Sequence, residues 1–416
     1  MAIPNNILQQ VKTYNEANMA LLLNMNVWLN LANMKFRHFN DQIPSNLGSS
    51  VSFDIPTRFI TSNTLTPAFQ AAVQRIQNLT VDQQRSISYA FNSEQYIFNV
   101  RDYMDQFGRS AMAEMSASIE IDLGTVASYN TYRYFGDGLT NISTSLQLDK
   151  LIEQFRVFGA AKNDTKCVLN NLSYPNIINS NLSQFAQARN DREAYSWEVG
   201  SFNGCDFYRS NLLHRHVAGN VGNDGVTLTV VSTVTNADGG VIQITFSGAS
   251  ASDADAIKHY DKATFNDGVA NRNNLRFLTY YGHFPSEAPV QFRVEADAAS
   301  DVSGNVVVDI FPPLQAASGA FQNINTEIVA GMQVTFLPNH RAGLIMAGRP
   351  FYVAMPTLPM TNPFPSHTAI DADTGASIRM YNGWLIDQAA MGTFHDAIWG
   401  KTGVDDYMMM VAIPDS

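Results

Sequence analysis

Apolar residues in this chain recur with two different periods, which alternate in blocks along the sequence. In residues 99–130, NVRDYMDQFGRSAMAEMSASIEIDLGTVASYN, they lie three or four positions apart with small residues between them. This is the period of an amphipathic helix. A helix over the whole stretch would extend roughly 45 Å at 1.5 Å per residue. We therefore predict one long helix with one apolar side.

The region before this helix contains two runs with the period of a strand. SVSFDIPTRFIT places Phe53 and Phe59 on one face, and RSISYAFNS does the same for Ile87 and Tyr89. Pro56 puts the first strand at a sheet edge or bulge, because proline has no N–H to donate. Between the two runs, PAFQAAVQRIQNL has helical spacing. A two-stranded arm is not stable alone in water, so we expect support from the same chain or from another copy.

Helix and strand patterns also flank these blocks. The first 45 residues have helical spacing around ANMALLLNMNVWLNLANM, which fits either a core helix or an arm lying on a neighbour. After the long helix, LQLDKLIEQFRVFGAA and SQFAQARNDREAYSW are predicted helices, and KCVLNN is a predicted short buried strand.

The pattern changes at about residue 220, where short alternating runs replace the helical spacing. GVTLTVVSTVTNADGGVIQITFSG and APVQFRVEADAASDVSGNVVVDIFPPL each predict a hairpin, the first with its turn at NADGG. Strands this short and close predict a small all-β barrel over residues 221–322. The strand-like runs EIVAGMQVTFLP, AGLIMAGRPFYVAMP and YMMMVAIPD follow it, as expected around an inserted domain, whereas NGWLIDQAAMG fits a helix or a strand.

Composition and charge narrow the choice of partners. The 416 residues include 26 basic and 37 acidic side chains, for a net charge of −11, and Lys and Arg form no cluster in the sequence. Tight binding to nucleic acid is therefore not expected. Cys167 and Cys205 are too few for a disulfide framework or a structural zinc site. The N-terminal residues lack a signal-peptide pattern and a membrane-spanning run, so we expect synthesis in a reducing cytoplasm and no membrane partner.

Residues that could carry chemistry are few. His214 and His216 would share one face of a strand and could form a metal pair, but no third ligand can be named, and a core role is the alternative. Asp371 and Asp373 partly match a calcium loop that lacks its bidentate glutamate, which favours a turn. GNVGNDG lacks the P-loop lysine and is interpreted as a linker. Because no hydrolase or metalloprotease signature is present, we expect neither an enzyme nor a bound metal or cofactor.

Several segments are similar to those of one known family. FNVRDYMDQFGRSAMAEMSASIEIDLGTVASY follows the arm directly, GSFNGCDFYRSNLLHRH matches at Asp206, Arg209 and Ser210, and NINTEIVAGMQVTFLP matches at Asn325 and Thr326. ASIRMYNGW is similar to an Arg-containing closing strand. With this order of elements, the chain resembles the major capsid (coat) proteins of tailed bacteriophages, which share the Hong Kong 97-type fold. More specifically, it looks like the short-tailed Salmonella-phage-type coat proteins, which carry an inserted β-barrel.

The resemblance implies an α+β fold of the Hong Kong 97 type. Its parts in chain order would be an N-terminal arm (1–45), an extended β-hairpin arm (46–98), a spine helix (99–130), the first part of an axial domain (131–220), the inserted barrel (221–322), the second part of the axial domain with a β-hinge (323–375), and closing strands (376–416).

The resemblance also implies a function, which is self-assembly into the icosahedral head shell of a virion around double-stranded DNA. The subunits would form hexamers and pentamers in the host cytoplasm with a scaffolding protein. The shell would join portal and decoration proteins and lie near packaged DNA without specific binding. The β arm would lie on the adjacent subunit. Candidate inter-subunit contacts are then Phe53, Phe59 and Tyr89 in the arm, and Asn236 and Asp238 in a barrel turn, although a solvated turn is the alternative for Asp238.

Other classes of protein stay open. A tail or decoration protein of a phage shares the β-rich pattern but should lack a long helix between an arm and an α/β domain. A hydrolase with a β-barrel accessory domain should show Asp and His side chains hydrogen-bonded in a deep pocket. A lectin-like protein would be expected to carry a secretion signal.

Overall fold

The structure is a computed structural model, and it describes ten stretches of the chain, which are residues 5–34, 50–59, 75–92, 107–158, 164–173, 198–266, 275–359, 366–371, 374–385 and 390–415. The chain divides into two compact units. Unit 1 comprises Met1–Phe53, Ile76–Leu123 and Phe351–Thr402, and unit 2 comprises Asp54–Arg75, Gly124–Pro350 and Gly403–Ser416.

The described helices are α1 (Asn5–Met25), α2 (Val27–Leu31), α3 (Arg109–Tyr129), α4 (Ser145–Val157) and α5 (Asn220–Asn223). The described strands are β1 (Ser50–Ile55), β2 (Arg75–Asn92), β3 (Tyr134–Phe135), β4 (Thr165–Leu169), β5 (Glu198–Phe202), β6 (Cys205–Arg209), β7 (His214–His216), β8 (Thr227–Thr235), β9 (Val241–Ser247), β10 (Lys262–Phe265), β11 (Arg276–Leu278), β12 (Pro285–Pro289), β13 (Gln291–Val294), β14 (Asn305–Leu314), β15 (Gln333–Phe336), β16 (His340–Ala347), β17 (Phe351–Ala354), β18 (Ser366–Ile370), β19 (Ser377–Leu385), β20 (Ala390–Gly403) and β21 (Met408–Pro414). No helix in these stretches is both long and apolar enough to cross a membrane.

Unit 1 is built on a sheet with strand order β1-β2-β20-β19-β18, and β17 also pairs with β20. The helices α1 and α2 belong to this unit. Asn15 of α1 donates to the carbonyls of His367 in β18 and Ile378 in β19, at 2.7 and 3.1 Å. In α2, Trp28 is fully buried with its ring edge-on to Phe351. Residues 5–34 therefore behave as core helices, which is one of the two interpretations that the sequence left open.

The first strand of the predicted arm is confirmed and ends at Ile55, directly before Pro56. The second strand is longer than predicted, because β2 begins at Arg75. The helical spacing assigned to PAFQAAVQRIQNL is therefore wrong for residues 75–79, and residues 67–74 lie outside the described stretches. Residues from Val81 to Asn92 pair antiparallel with β20. The second strand of the arm thus pairs with a strand of its own chain. The resemblance implied that the arm lies on the adjacent subunit.

The long helix is confirmed over Arg109–Tyr129, a length of roughly 30 Å. Its predicted start at residue 99 lies outside the described stretches. The predicted apolar stripe is its buried side, formed by Met112, Met115, Ile119, Leu123 and Val126. On the part of α3 in unit 1, Asp122 accepts hydrogen bonds from the side chains of Trp399 and Lys401 in β20. These polar contacts add to the apolar packing that holds the helix.

Unit 2 contains a second sheet with strand order β3-β21-β16-β4-β6-β5, and β7 also pairs with β16. The predicted buried strand KCVLNN is β4, which pairs parallel with β6. The predicted helix LQLDKLIEQFRVFGAA is α4, which begins with a capping box between Thr144 and Gln147. Its apolar side is buried. The second helix predicted in this region falls within residues 174–197, outside the described stretches.

The predicted barrel is present as a closed barrel with strand order β10-β13-β14-β9-β8-β15. Both predicted hairpins are confirmed, as β8 with β9 and β13 with β14. The predicted end at residue 322 is too early, because β15 closes the barrel by pairing with both β10 and β8. A barrel closes only when its last strand satisfies both open edges. The α+β class is thus confirmed together with the barrel.

The barrel shares its core and its hydrogen bonds with the rest of unit 2. Tyr132 and Phe158 belong to the same buried apolar cluster as the barrel's inward-facing side chains. The side-chain amide of Gln291 in β13 pairs with the backbone of Tyr134 in β3, accepting from its N–H and donating to its carbonyl, both at 2.9 Å. The Gln291 side chain therefore makes the two backbone hydrogen bonds with β3 that a neighbouring strand would make.

Candidate assembly surfaces

In the middle of β2, neither face of the strand is packed against a hydrophobic core. None of the residues 82–88 is buried, and five of these seven side chains are exposed. One edge of this segment pairs with β20. Side-chain hydrogen bonds from Ser52 to Asn78 and from Thr80 to Ser50 place β1 beside the earlier part of β2. No other strand in the described stretches pairs with β2, so this segment offers an edge at which a further strand could add.

The three predicted contact residues of the arm have different surroundings. The Phe53 ring lies 4.5 Å from the ring of Tyr352, and the Tyr89 hydroxyl lies 3.3 Å from Nε2 of His395. Burial lowers the pKa of His395 to about 4, so this histidine is neutral at physiological pH. Phe59 is exposed. Phe53 and Tyr89 thus contact their own chain, and a contact of any of the three with another subunit stays a prediction.

The barrel turn between β8 and β9 places Asn236 and Asp238 at a cleft of about 310 Å³. Asn236 Oδ1 accepts from the backbone N–H groups of Asp238 and Gly240, at 3.1 and 2.8 Å, and so shapes the turn. Asp238 is exposed. The carboxylate that was expected to reach a neighbour therefore lies at the rim of a cleft in its own unit, and its inter-subunit role stays a prediction.

The same cleft is lined by a group of charged side chains, which are Arg58, Arg75, Asp405 and Asp406. Asp406 binds Arg58 at 2.9 Å and Arg75 at 2.7 Å. Burial alone would raise the pKa of Asp406, but these two guanidinium groups offset it and hold that pKa below its usual value. Burial raises the pKa of the neighbouring Asp405 to about 7. The charges pair with each other, which marks a structural network in unit 2.

A second surface is apolar and lies near the start of α4. We call Leu139, Leu146 and Leu172 the leucine face. Leu139 is the most exposed of the three, at 70%, and it lines a cleft of about 780 Å³. A hydrogen bond of 3.2 Å between the side chains of Asn170 and Asn141 joins the segments that carry Leu172 and Leu139. Exposed leucines on neighbouring segments are typical of a protein–protein contact surface.

A third surface is the turn between β11 and β12, residues 279–284, which we call the aromatic turn. Phe284 is 71% exposed, and Tyr281 is exposed beside it. Large aromatic side chains are enriched among the residues that contribute most to protein interfaces. Neither this turn nor the leucine face has a signal in the sequence, because isolated apolar residues in loops have no period.

The predicted metal candidates do not form a metal site in the described stretches, where no group of three or more ligands is found. His216 Nε2 instead lies 2.7 Å from Oδ1 of the buried Asp261, and His214 packs edge-on against the ring of Tyr129. Asp371 accepts from the N–H and hydroxyl of Thr374, as expected for a turn, and Asp373 lies outside the described stretches. The segment GNVGNDG, interpreted as a linker, contains the short helix α5 and leads into β8.

The two cysteines are both buried and free. Burial raises the pKa of each thiol above its ordinary value, which makes both unreactive at neutral pH.

The chain aligns over most of its length with chains of solved phage structures. A chain of Mycobacterium phage Che8 has a TM-score of 0.44 at 8% identity, with 93% of this chain and 90% of that chain covered. The capsid of Ralstonia phage GP4 gives 0.44 at 8% identity, covering 93% and 87%, and that of the cyanophage P-SCSP1u gives 0.41 at 10%, also covering 93% and 87%. No family model and no curated protein matches the sequence. The predicted likeness to phage capsid chains is thus found again, whereas the closer likeness to the Salmonella-phage type stays a prediction.

Proposed function

We propose that this protein is the major capsid protein of a tailed phage, which assembles with copies of itself into an icosahedral head shell around double-stranded DNA. The observation that supports this most directly is the segment 82–88 of β2, which has no buried side chain and, among the described stretches, pairs through one edge only. A strand in that state gains little from its own chain. A neighbouring subunit in a closed shell supplies the missing contacts.

The charge and the exposed apolar surfaces fit the same function. With a net charge of −11, copies of the chain repel one another at long range, so association has to be favoured by local contacts such as exposed apolar side chains and open strand edges. In a shell, each contact is repeated by symmetry and each subunit is held by several neighbours, so modest contacts suffice. The acidic balance also keeps the subunit from binding the packaged DNA specifically.

The finer assignments belong to the same proposal. In it, β1 and β2 are the extended arm, α3 is the spine helix of a Hong Kong 97-type shell, and the sheet of unit 2 with α4 is the axial domain. The subunits form hexamers and pentamers with a scaffolding protein in the host cytoplasm, and the shell carries a portal and decoration proteins. The protein has a structural role and catalyses no reaction.

Assembly itself is the first test. The chain is expressed alone and with the scaffolding protein of the same phage, and the products are examined by sedimentation velocity and electron microscopy. We expect closed particles or capsomer rings under at least one condition. A chain that stays monomeric under all of them would overturn the proposed function.

Amide hydrogen exchange tests whether the unpaired edge of residues 82–88 in β2 becomes hydrogen-bonded on assembly. Alternate residues of an antiparallel strand donate to opposite edges. In the unassembled chain, we expect the amides of residues 82–88 that face β20 to be protected and the others to exchange fast. Assembly should protect the second set as well. Strand β9 is paired on both edges within the barrel and serves as the control, protected in both states. Fast exchange of the second set in finished particles would count against the proposed role of β2.

A further inference from the structure

The network of charged side chains around Asp406 contains more guanidinium groups than carboxylates. Arg58 and Arg75 each donate through one nitrogen to the Asp406 carboxylate, at 2.9 and 2.7 Å. Arg133, which is only 3% exposed, donates instead to the backbone carbonyls of Asp406 and Met408, at 3.0 and 3.3 Å. Arginine stays protonated in proteins, and a backbone carbonyl has no net charge. One carboxylate is therefore shared by three cations.

The other charged groups of the network do not cancel this excess. Arg293 lies 3.9 Å from Asp405 and binds Glu295 at 2.7 Å. Even with Asp405 ionised, four guanidinium groups therefore face three carboxylates in the described part of unit 2. Asp238, at the exposed rim of the cleft, forms no ion pair with a described residue. A buried charge without a counter-charge is costly, so the network favours an additional anion.

The excess of positive charge lies beside an open space. Arg58 and Arg75 both line the cleft of about 310 Å³, a volume within the range of about 300–1,000 Å³ typical of small-ligand sites. The Arg58 guanidinium group lies 4.0 Å over the ring of Tyr280, and its Nε is buried without a hydrogen-bond partner in the described part of the chain. Asn236 lines the same cleft, and its Oδ1 already accepts from the turn. The Asn236 amide nitrogen therefore adds a neutral donor to the charged ones.

We propose that this cleft binds a phosphate group, as the free ion or as a small phosphate ester. Guanidinium groups match the oxygens of phosphate in charge and geometry, and two of them line the cleft from the two sides of Asp406. A doubly charged ion also offsets the excess of positive charge better than a single carboxylate does. The half-buried rings of Phe311 and Phe321 give the cleft an apolar wall for the organic part of an ester. This site does not depend on the proposed capsid function.

Isothermal titration calorimetry tests this site directly. Inorganic phosphate is titrated into the chain in a chloride buffer, and we expect saturable binding at one site per chain with a dissociation constant of about 1 mM or lower. Arg75→Gln removes one charged donor from the cleft and should weaken binding at least tenfold. Arg215→Gln is the matched control, because it removes an arginine that pairs with Asp415 and does not line the cleft. The absence of saturable binding, or equal binding by the two variants, would overturn the proposed site.

A second variant covers the case in which Arg75→Gln disturbs the fold. Asp238→Asn removes a negative charge from the exposed rim of the cleft and leaves the buried ion pairs intact, so the fold should be kept. We expect phosphate to bind about two- to fivefold more tightly, because a nearby repulsion is lost. Asp224→Asn makes the same change in charge at an exposed residue of the other cleft and should leave the affinity unchanged. Equal or weaker binding by Asp238→Asn would overturn the inference.

Adenosine monophosphate distinguishes the two sources of the phosphate group. Binding at least tenfold tighter than that of inorganic phosphate would assign the site to a phosphate ester whose organic part uses the aromatic wall. Equal affinities would assign it to the free ion, and both results support a phosphate site if Arg75→Gln weakens them. Adenosine monophosphate that binds Arg75→Gln as well as the unmodified chain would bind elsewhere, which would overturn the ester.

Discussion

Lys262 and Arg293 lie directly opposite each other on barrel strands β10 and β13, and both side chains donate to the last carbonyls of α3. Lys262 Nζ is 2.6 Å from the carbonyl oxygen of Ser128, and Arg293 Nη1 is 2.5 Å from that of Tyr129. The final carbonyls of a helix have no partner within it and form the negative end of its dipole. Two basic side chains from the barrel supply the missing donors. The barrel thus holds the C-terminal end of the long helix.

This arrangement predicts an alkaline pH dependence of stability. Burial, together with the nearby Arg293, lowers the pKa of Lys262 well below that of an ordinary lysine. Between this lowered pKa and the ordinary value of about 10.4, the unfolded chain binds a proton that the folded chain does not. The free energy of unfolding should therefore rise with pH in that range, by at most about 1.4 kcal/mol per pH unit.

Urea denaturation at several alkaline pH values measures this slope. Lys262→Met keeps the length of the side chain and removes the titrating group, so its slope should be smaller than that of the unmodified chain. Lys258→Met, at a partly exposed position four residues earlier, should leave the slope unchanged. Identical slopes for all three proteins would contradict the prediction.

Two isoleucines of α3 test its buried stripe. Ile119 is fully buried and Ile121 is 49% exposed. Ile119→Asp buries a carboxylate without a partner, which costs several kcal/mol and should abolish soluble folding. Ile121→Asp makes the same chemical change on the exposed side and should keep the yield and melting temperature of the unmodified chain. Soluble yield and circular dichroism separate the two outcomes, and equal behaviour of both variants would show the stripe to be wrongly assigned.

Substitution of Gln291 tests how much the hydrogen bonds between the barrel and β3 contribute to stability. Gln291→Leu leaves the N–H of Tyr134 buried without an acceptor, while the Tyr134 carbonyl keeps a 3.2 Å hydrogen bond from Gln154. One unsatisfied buried donor costs about 1–3 kcal/mol, and we expect the unfolding free energy to fall by this amount. Gln243→Leu is the control, because Gln243 makes a single, solvent-exposed hydrogen bond to Asp309. A loss no larger in Gln291→Leu than in the control would mean that this joint contributes little.

Substitution of Gly222 tests the close approach of its backbone to that of Leu337 in unit 2. A Cβ on Gly222 would lie 2.3 Å from the carbonyl oxygen of Leu337, which backbone atoms can relieve only by moving apart. We expect Gly222→Ala to lower the unfolding free energy by about 1–3 kcal/mol, the usual cost of overpacking. Gly319→Ala is the matched control, since a Cβ there would meet nothing closer than 3.9 Å. Chemical denaturation should show a loss for the first variant only.

The structure also changes the expected result of removing the barrel. The predicted boundaries, 221–322, describe an insertion that could be excised without loss of the remaining fold. An excision there would leave β15 without its partners β8 and β10, and would remove the side chains that hold Ser128 and Tyr134. The barrel is therefore integrated into unit 2.

Much of the fold was predictable because a buried face imposes a period on the sequence. The stripe of α3, the helix α4, the strand β4 and both barrel hairpins were all predicted from that period. The main error has the same origin. Ile76 and Leu79 lie three positions apart and suggested a helix, yet both belong to β2, in which Leu79 is buried. A short run of apolar residues fits either period, and pairing with neighbouring strands decided between them.

The candidate contact surfaces were predictable only in part. Asp238 and Phe59 lie in segments with recognisable turn or strand patterns, and both are exposed, as a contact residue must be. Leu139 and Phe284 had no signal in the sequence, because whether an apolar loop residue is buried depends on what packs against it. Their exposure became visible only when the segments around α4 were in place.

By itself, the sequence determined the kinds of element and their order, the acidic charge, and which side of each helix or hairpin is apolar. Only the tertiary structure decided which strands became neighbours. It paired β2 with β20, closed the barrel with β15, and set Lys262 and Arg293 on the end of α3. The physical reason is that a period specifies a face to be buried but carries no information about the surface that buries it.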